Sequence, residues 1–344
     1  MEKIRLLLSA VGHPAIPSLI KAITDNNERT IEVIGADLNT EILIPSLFKK
    51  IRKVSAFTNK NYISNILSIC KIDKVDIFWA RNEIDTILVN KFLDEFNNIG
   101  TKVICPGTSK SLKISSDKGN FSNFFRKNSI PHAKFKIVND FISLKKGIMD
   151  FNYPKKNIII KPTSSIGGRG SLTISPVTYS TSKILESTYP LETVIEIFSK
   201  IKKNNFPELI LMEFLSGTSY SVDVLSKKGK SIYTIPKIRI SGNASNTMIG
   251  KIDLNQKIIK YVNSVVKKFN FSYIQNYELK LNENGDPRIF DINPRGGASV
   301  AFCKAAGVNI PYFAIKMALG EKFPEKLKIK NNLKMIRGFH EYYE

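Results

Sequence analysis

The sequence predicts an α/β unit with a doubly wound parallel sheet, followed by an α+β assembly. Three observations carry that expectation. Up to Pro106-Gly107, short apolar runs alternate with helical patterns, the order that yields a parallel sheet covered on both faces. Beyond that point strand patterns return in groups with fewer helices between them. Near the C-terminus, two stretches of alternating apolar and polar residues flank Asn284-Gly285, a hairpin signature.

In the first unit, Lys3–Ala10, Thr30–Gly35, Val75–Ala80 and Thr101–Cys105 read as short buried strands. Helical spacing covers Ala15–Thr24, Tyr62–Cys70 and Glu83–Phe96. A short basic, polar segment holding Asp117-Lys118 comes next, then a helix over about Asn120–Lys127. Strands near Lys134–Val138 and Asn157–Lys161 flank a helix around Ile142–Asp150. Thr163–Ser171 is rich in Gly and Ser and has no apolar period, so it reads as a loop. A helix over Leu191–Lys202 precedes strands at Leu209–Phe214, Ser219–Leu225 and Ser231–Ile240. Leu254–Phe269 is helical, with Leu254, Ile258, Tyr261, Val262, Val265 and Val266 on one side. After the hairpin come helices near Val300–Ala306 and Ile310–Leu319 and a strand-like tail, Leu333–Tyr343.

The hairpin carries the chemistry. Asn284-Gly285 suits a two-residue turn with both residues at positive φ, which sets Glu278 opposite Asp291 and Asn276 opposite Asn293. Side chains two apart share a face, so these four line one side while Tyr277, Leu279, Phe290 and Ile292 line the other. Facing carboxylates repel unless a cation lies between them. An all-oxygen set of Glu278, Asp291 and Asn293 suits Mg²⁺ or Mn²⁺ rather than Zn²⁺, and such a site expects phosphate ligands to complete it. Two further segments fit that need. Ile158–Lys161 delivers Lys161 at the end of a buried strand, followed by a loop whose Ser165, Gly167, Gly168 and Gly170 leave backbone N–H groups open to phosphate. Met212–Gly217 is an extended segment that can offer main-chain groups to an adenine edge between apolar walls.

Composition narrows the classes. Hydrophobic content of 42% and charged content of 24% are those of a globular protein, and no apolar run approaches the ~20 residues of a membrane span. The N-terminus enters a strand directly, without a cleavable signal pattern, and the three cysteines are scattered; a reduced, cytoplasmic setting is expected. The net charge of +22 comes from dispersed Lys residues without interleaved aromatics, so nucleic acid is not the expected partner.

In this order the segments resemble the ATP-grasp superfamily, nearest its carbamoyl-phosphate synthase large-chain-like and D-alanine–D-alanine ligase-like carboxylate–amine ligases. The resemblance spans essentially the whole chain. It implies a Rossmann-like pre-ATP-grasp domain over 1–107, an N-terminal lobe with lid and phosphate loop over 108–215, and a C-terminal lobe with the metal site over 216–344. Lys118 and Lys161 match the family's phosphate-binding lysines, and Thr163–Ser171 matches the loop that closes over the phosphates. Glu213 and Leu215 fall where the hinge gives main-chain bonds to adenine. Glu278, Asp291 and Asn293 match the Mg²⁺ ligands, for two ions. Arg295 matches the arginine that holds the transferred phosphate, and Arg239 lies where relatives carry a basic catalytic residue. Ser219 stands where relatives usually have a ribose-binding Glu, and Asp291 where Glu is the commoner ligand.

The implied activity is Mg-ATP-dependent activation of a small-molecule carboxylate as an acyl-phosphate, attacked by an amine or related nucleophile. A homodimer is compatible with it. Ser219 keeps a second reading open, a non-catalytic ATP-binding protein; a basic nucleic-acid-binding protein on the same fold is a third. The acceptor site is expected from the first unit and the segment after the hairpin, with Gly12-His13 and Gly296-Gly297-Ala298-Ser299 as candidates by position. His13, just before Pro14, also suits a plain helix start.

Overall fold

A computed structural model describes residues 3–164, 171–176, 188–243, 246–338 and 340–343. Its strands form three sheets. The first holds β1 (Ile4–Ser9), β2 (Ile31–Asp37), β3 (Lys50–Lys53), β4 (Ile77–Trp79) and β5 (Lys102–Val103), all parallel, in the order β3-β2-β1-β4-β5. β1 is central, and its Leu6, Leu7 and Leu8 are fully buried because both faces are covered. Leu6 and Leu8 pack in a core that includes helix Ile16–Thr24 and helix Ile310–Ala318. Leu7 points the other way, toward helix Tyr62–Ile72 and Phe96. The winding direction reverses between β1 and β4, so a crevice opens beyond their carboxyl ends, where open α/β sheets bind ligands.

The sequence reading missed β3, because Lys50-Ile51-Arg52-Lys53 is too charged to look like a strand. It is an edge strand, where lysines discourage further pairing, and Asp73 accepts from both Lys50 and Arg52. The expected helix Glu83–Phe96 is two helices, Glu83–Val89 and Leu93–Asn98, joined by a tighter turn. Asn90 sits at the break, held by Gly107 C=O and the Ser109 hydroxyl. The segment read only as basic and polar contains a helix, Ser109–Ser115, started by reciprocal Thr108–Ser111 capping.

The second sheet holds β6 (Phe135–Val138), β7 (Ile158–Pro162), β8 (Leu172–Ile174), β9 (Thr188–Tyr189) and β10 (Leu209–Glu213), ordered β6-β10-β7-β8-β9. Helices Phe141–Asp150 and Leu191–Ser199 cover one face through Leu144, Ile148, Val194 and Phe198. The opposite face presents Ile159, Ile210 and Met212.

The third sheet holds β11 (Ser219–Lys227), β12 (Lys230–Gly242), β13 (Thr247–Ile252), β14 (Tyr273–Leu281), β15 (Pro287–Asn293) and β16 (Lys334–Ile336), ordered β15-β14-β11-β12-β13-β16 and antiparallel throughout. Helix Gln256–Phe269 covers one face with Ile258, Val262, Val265 and Val266 against Tyr220, Val222, Tyr277 and Ile292. The expected tail strand Leu333–Tyr343 shrinks to β16, three residues pairing with β13.

The hairpin reaches its expected pairing by a different route. Glu278 faces Asp291 and Asn276 faces Asn293. Asn284, however, does not adopt a positive φ; only Gly285 does, at 71°. Gly285 N–H donates to Asn282 C=O at 3.0 Å and Asn282 N–H to Asp286 C=O at 2.9 Å. The Asn282 side chain accepts from Asn284 N–H and Asp286 N–H, which favours this wider turn over the two-residue one. The wider turn offsets the pairing, so Leu279 meets Ile289, and a bulge between Glu278 and Leu279 restores the register. The bulge also corrects the face assignment. Phe290, expected on the same face as Tyr277 and Ile292, packs instead with Ala133, Ile159, Met212 and Leu215.

Candidate active site

The side of the third sheet away from helix Gln256–Phe269 is crowded with charge. β14 and β15 supply Glu278 and Asp291, directly opposed. Each has a cation at long range: Arg239 Nη1 lies 3.3 Å from Glu278 Oε2, and Lys118 Nζ lies 3.6 Å from Asp291 Oδ1. Burial and Asp291 raise the Glu278 pKa although Arg239 opposes them. Asn293 Oδ1 accepts from Arg295 Nη2 at 3.1 Å. Asn276, the cross-strand neighbour of Asn293, donates to Asp223 Oδ1 at 2.9 Å. Asp223 is also bonded to Lys237 Nζ and to Gly297 N–H.

Beside this charged face lies an apolar pocket lined by Ala133, Ile159, Met212, Leu215 and Phe290, with Lys161, Glu213 and Lys280 at its polar edge. Lys161 Nζ sits 4.7 Å from the Phe290 ring centroid, so the bulge that displaces Phe290 also gives Lys161 a cation–π seat. Lys118 is the first residue of helix Lys118–Lys127 and its N–H donates to Thr163 C=O, which brings the ends of the two lysine-bearing segments together.

A flat aromatic ring fits such a pocket, and polyphosphate fits lysines beside two carboxylates. A family model described as ATP-grasp in the biosynthetic pathway with Ter operon matches residues 205–338. Over that C-terminal part the chain is similar to the ATP-grasp superfamily.

Among curated relatives, the carbamoyl phosphate synthase large chain of Clostridium acetobutylicum is 24% identical over 276 residues, 77% of this chain. The chain spans about a quarter of that relative's length, 24%. Similar solved structures include N5-carboxyaminoimidazole ribonucleotide synthetase bound to ADP, with a TM-score of 0.67, 17% identity, and coverage of 96% of this chain and 79% of that one. The biotin carboxylase domain dimer of Hydrogenobacter thermophilus 2-oxoglutarate carboxylase, with MgADP and bicarbonate, aligns at 0.68, with 14% identity and coverage of 96% and 73%. An L-amino acid ligase from Bacillus licheniformis aligns at 0.63, with 12% identity and coverage of 92% and 74%. At these identities the solved structures speak for the ATP-grasp fold.

On that fold, the residues expected from the sequence fall into two groups. Lys118, Arg239, Glu278, Asp291, Asn293 and Arg295 share the charged face. Lys161, Glu213 and Leu215 line the pocket. Glu213 N–H is committed to Lys134 C=O, and its carboxylate accepts from Lys134 N–H. Among the described residues Leu215 N–H has no acceptor. Ser219 opens β11 opposite Lys280, whose ammonium lies 5.3 Å from the Phe214 ring. Ser165, Gly167, Gly168 and Gly170 lie outside the described residues.

Five site residues escaped the sequence reading. Glu83 begins its helix buried, and burial and Asp291 raise its pKa while Arg295 and Lys118 lower it. Arg81 lies just before it, its guanidinium 5.1 Å from the Trp79 ring centroid. Both follow the carboxyl end of β4 at the switch point, and that position was the available signal. Asp223 and Lys237, charged residues inside otherwise apolar strands, were a second signal; they are 0% and 2% exposed. Arg337, just past β16, gave none. Gly297, a positional candidate for the acceptor site, has a structural duty: a Cβ there would stand 2.6 Å from Asn276 Nδ2.

Proposed function

We propose that this chain is an ATP-dependent ligase that activates a substrate carboxylate as an acyl-phosphate for attack by an amine. The observation that carries the proposal is Glu278 opposed to Asp291, with Lys118, Arg239 and Arg295 converging on them at the mouth of an apolar pocket. The donor set of two carboxylates and an amide oxygen fits Mg²⁺, and the two carboxylates face each other directly across the hairpin. Glu278, Asp291 and Asn293 would hold two ions, which supply charge neutralisation on the phosphates when bound.

Adenine occupies the pocket between Ile159, Met212 and Phe290, with Leu215 N–H as its main-chain donor. Lys161 and Lys118 offset the charge of the phosphates. The substrate carboxylate attacks the γ-phosphorus, ADP leaves, and the amine then displaces phosphate from the acyl-phosphate. Arg295 and Arg239 neutralise charge on the transferred group. Positioning and electrostatics dominate such chemistry, and no covalent protein group is needed.

Phosphate release from Mg-ATP, screened against pooled carboxylates and pooled amines, tests the proposal. Release that requires both pools supports it. Tight ATP binding with no release from any pair overturns it and favours a non-catalytic nucleotide-binding protein.

A further inference from the structure

Four segments meet at the crevice beyond β1 and β4: the loop after β1 with His13, the loop after β4 with Arg81, the turn after β15 with Arg295, and Arg337 after β16. Arg295 and Arg337 are tied to the same turn, through Gly296 C=O and Ala298 C=O, and Arg295, Arg81 and Arg337 all lie within electrostatic reach of the His13 ring. Their donors are not equally engaged. Arg295 donates to Asn293 and to Gly296 C=O. Arg337 Nη2 donates to Ala298 C=O at 2.8 Å, while its Nη1 is buried with no acceptor among the described residues. Arg81 Nε and Nη1 are likewise buried without an acceptor.

The nearby acids are committed elsewhere. Asp223 serves Lys237, Asn276 and Gly297. Glu278 lies against Arg239 and Asp291 against Lys118. Asp85 accepts from the Ser9 hydroxyl, which in turn accepts from Arg81 N–H. Glu83 and Glu278 add negative charge near Arg295, and Asp223 acts on Arg81. Burial and Arg295 push Arg81's pKa down to about 9, so it stays charged at neutral pH, over the Trp79 ring and with Nε and Nη1 lacking an acceptor among the described residues. Burial and the three arginines lower His13 to about 4, which keeps its imidazole neutral. Its Nδ1 accepts from Ala15 N–H, so Nε2 carries the proton and can donate.

Orphaned guanidinium donors of this kind destabilise the free protein unless a ligand supplies the acceptors. The activated carboxylate has to lie by Arg295 and Asp291, where the phosphate is transferred, and it offers only two oxygens. It cannot also satisfy Arg81 and Arg337. We propose that the carboxylate substrate is at least a dianion, carrying a second carboxylate or phosphate group that Arg81 and Arg337 bind, with His13 as a further donor. This assignment rests on the ligase reading and names the substrate class of that same site. Guanidinium forks match both groups bidentately, so they share one recognition chemistry.

The test is calorimetric titration of the Mg-ADP-loaded protein with succinate, phosphoglycolate and butyrate. One of the two dianions should bind at least about tenfold tighter than butyrate, and which one does so identifies the second group. Arg81→Gln and Arg337→Gln should each bring that dianion close to the butyrate level. Arg81→Gln should also leave the Tm of the free protein unchanged or higher, because a buried charge whose donors lack acceptors is removed; a purely structural role would lower it. Equal binding of all three compounds, or undiminished dianion binding by Arg81→Gln, overturns the proposal. Failure of the ligase reading is separate, since no phosphate release would then accompany a surviving dianion preference.

Discussion

Replacing Lys237 with Met leaves Asp223 charged in a place that water does not reach. The two side chains are 2% and 0% exposed and bonded to each other, and Asp223 also accepts from Asn276 Nδ2 and Gly297 N–H, both at 2.9 Å. Burial works against the charged form of Lys237, while Asp223 and Cys303 act to raise its pKa; the net direction is up, so the ammonium stays charged throughout the neutral range. Methionine preserves the volume of the stem, so the loss is electrostatic. Removing one partner of a buried ion pair costs about 3–5 kcal/mol, a large part of the ~5–15 kcal/mol of a typical fold. The expected fall in Tm is roughly 5 °C. Two hydrogen bonds cannot offset that charge. Urea unfolding at pH 7 measures the loss. Adding Asp223→Asn to Lys237→Met removes the orphan charge while keeping an acceptor for Asn276 and Gly297, and should recover most of the loss. A loss below about 1 kcal/mol at pH 7, or no recovery in the double variant, would refute the reasoning.

Asp291→Asn relieves the repulsion across the hairpin, so the free protein should be no less thermally stable, while phosphate release falls by about a hundredfold or more. Mg-ATP should raise the Tm of the parent protein and not that of the variant. Gly285→Ala should cost about 1 kcal/mol in urea unfolding, because φ is 71° and nothing lies within 4 Å of the added Cβ, whereas Asn284→Ala should be near neutral. Arg52 and Lys50 hold the Asp73 pKa down at about 2, although its own burial opposes them. A depressed acid stabilises the fold above its unfolded pKa, and that contribution is lost as pH falls from about 4 to 2. Lys50 and Arg52 are partly solvated, so the share is about 1 kcal/mol. Asp73→Asn should flatten the acid limb of the stability curve by that amount.

Much of the architecture follows from local patterns. The buried runs at β1, β2 and β4 with helices between them admit little but a parallel sheet, since only that arrangement covers both faces. Period-2 alternation placed Glu278 against Asp291 and Asn276 against Asn293, and the order of Lys118, Lys161 and the hairpin pointed to a nucleotide fold. Tertiary context decided what local rules could not weigh. The side-chain bonds of Asn282 overrode the Asn284-Gly285 preference, and the compensating bulge moved Phe290 from the face of Ile292 to the apolar pocket. β3 exists because Asp73 and an edge position accept its charges. Arg81, Glu83 and Arg337 are far from one another or from the hairpin along the chain, and only the packing of the first sheet against the third brings them to one crevice. The metal-ligand candidates were legible because two strands and one turn place them; the crevice arginines were not, because their proximity is a property of how the sheets meet.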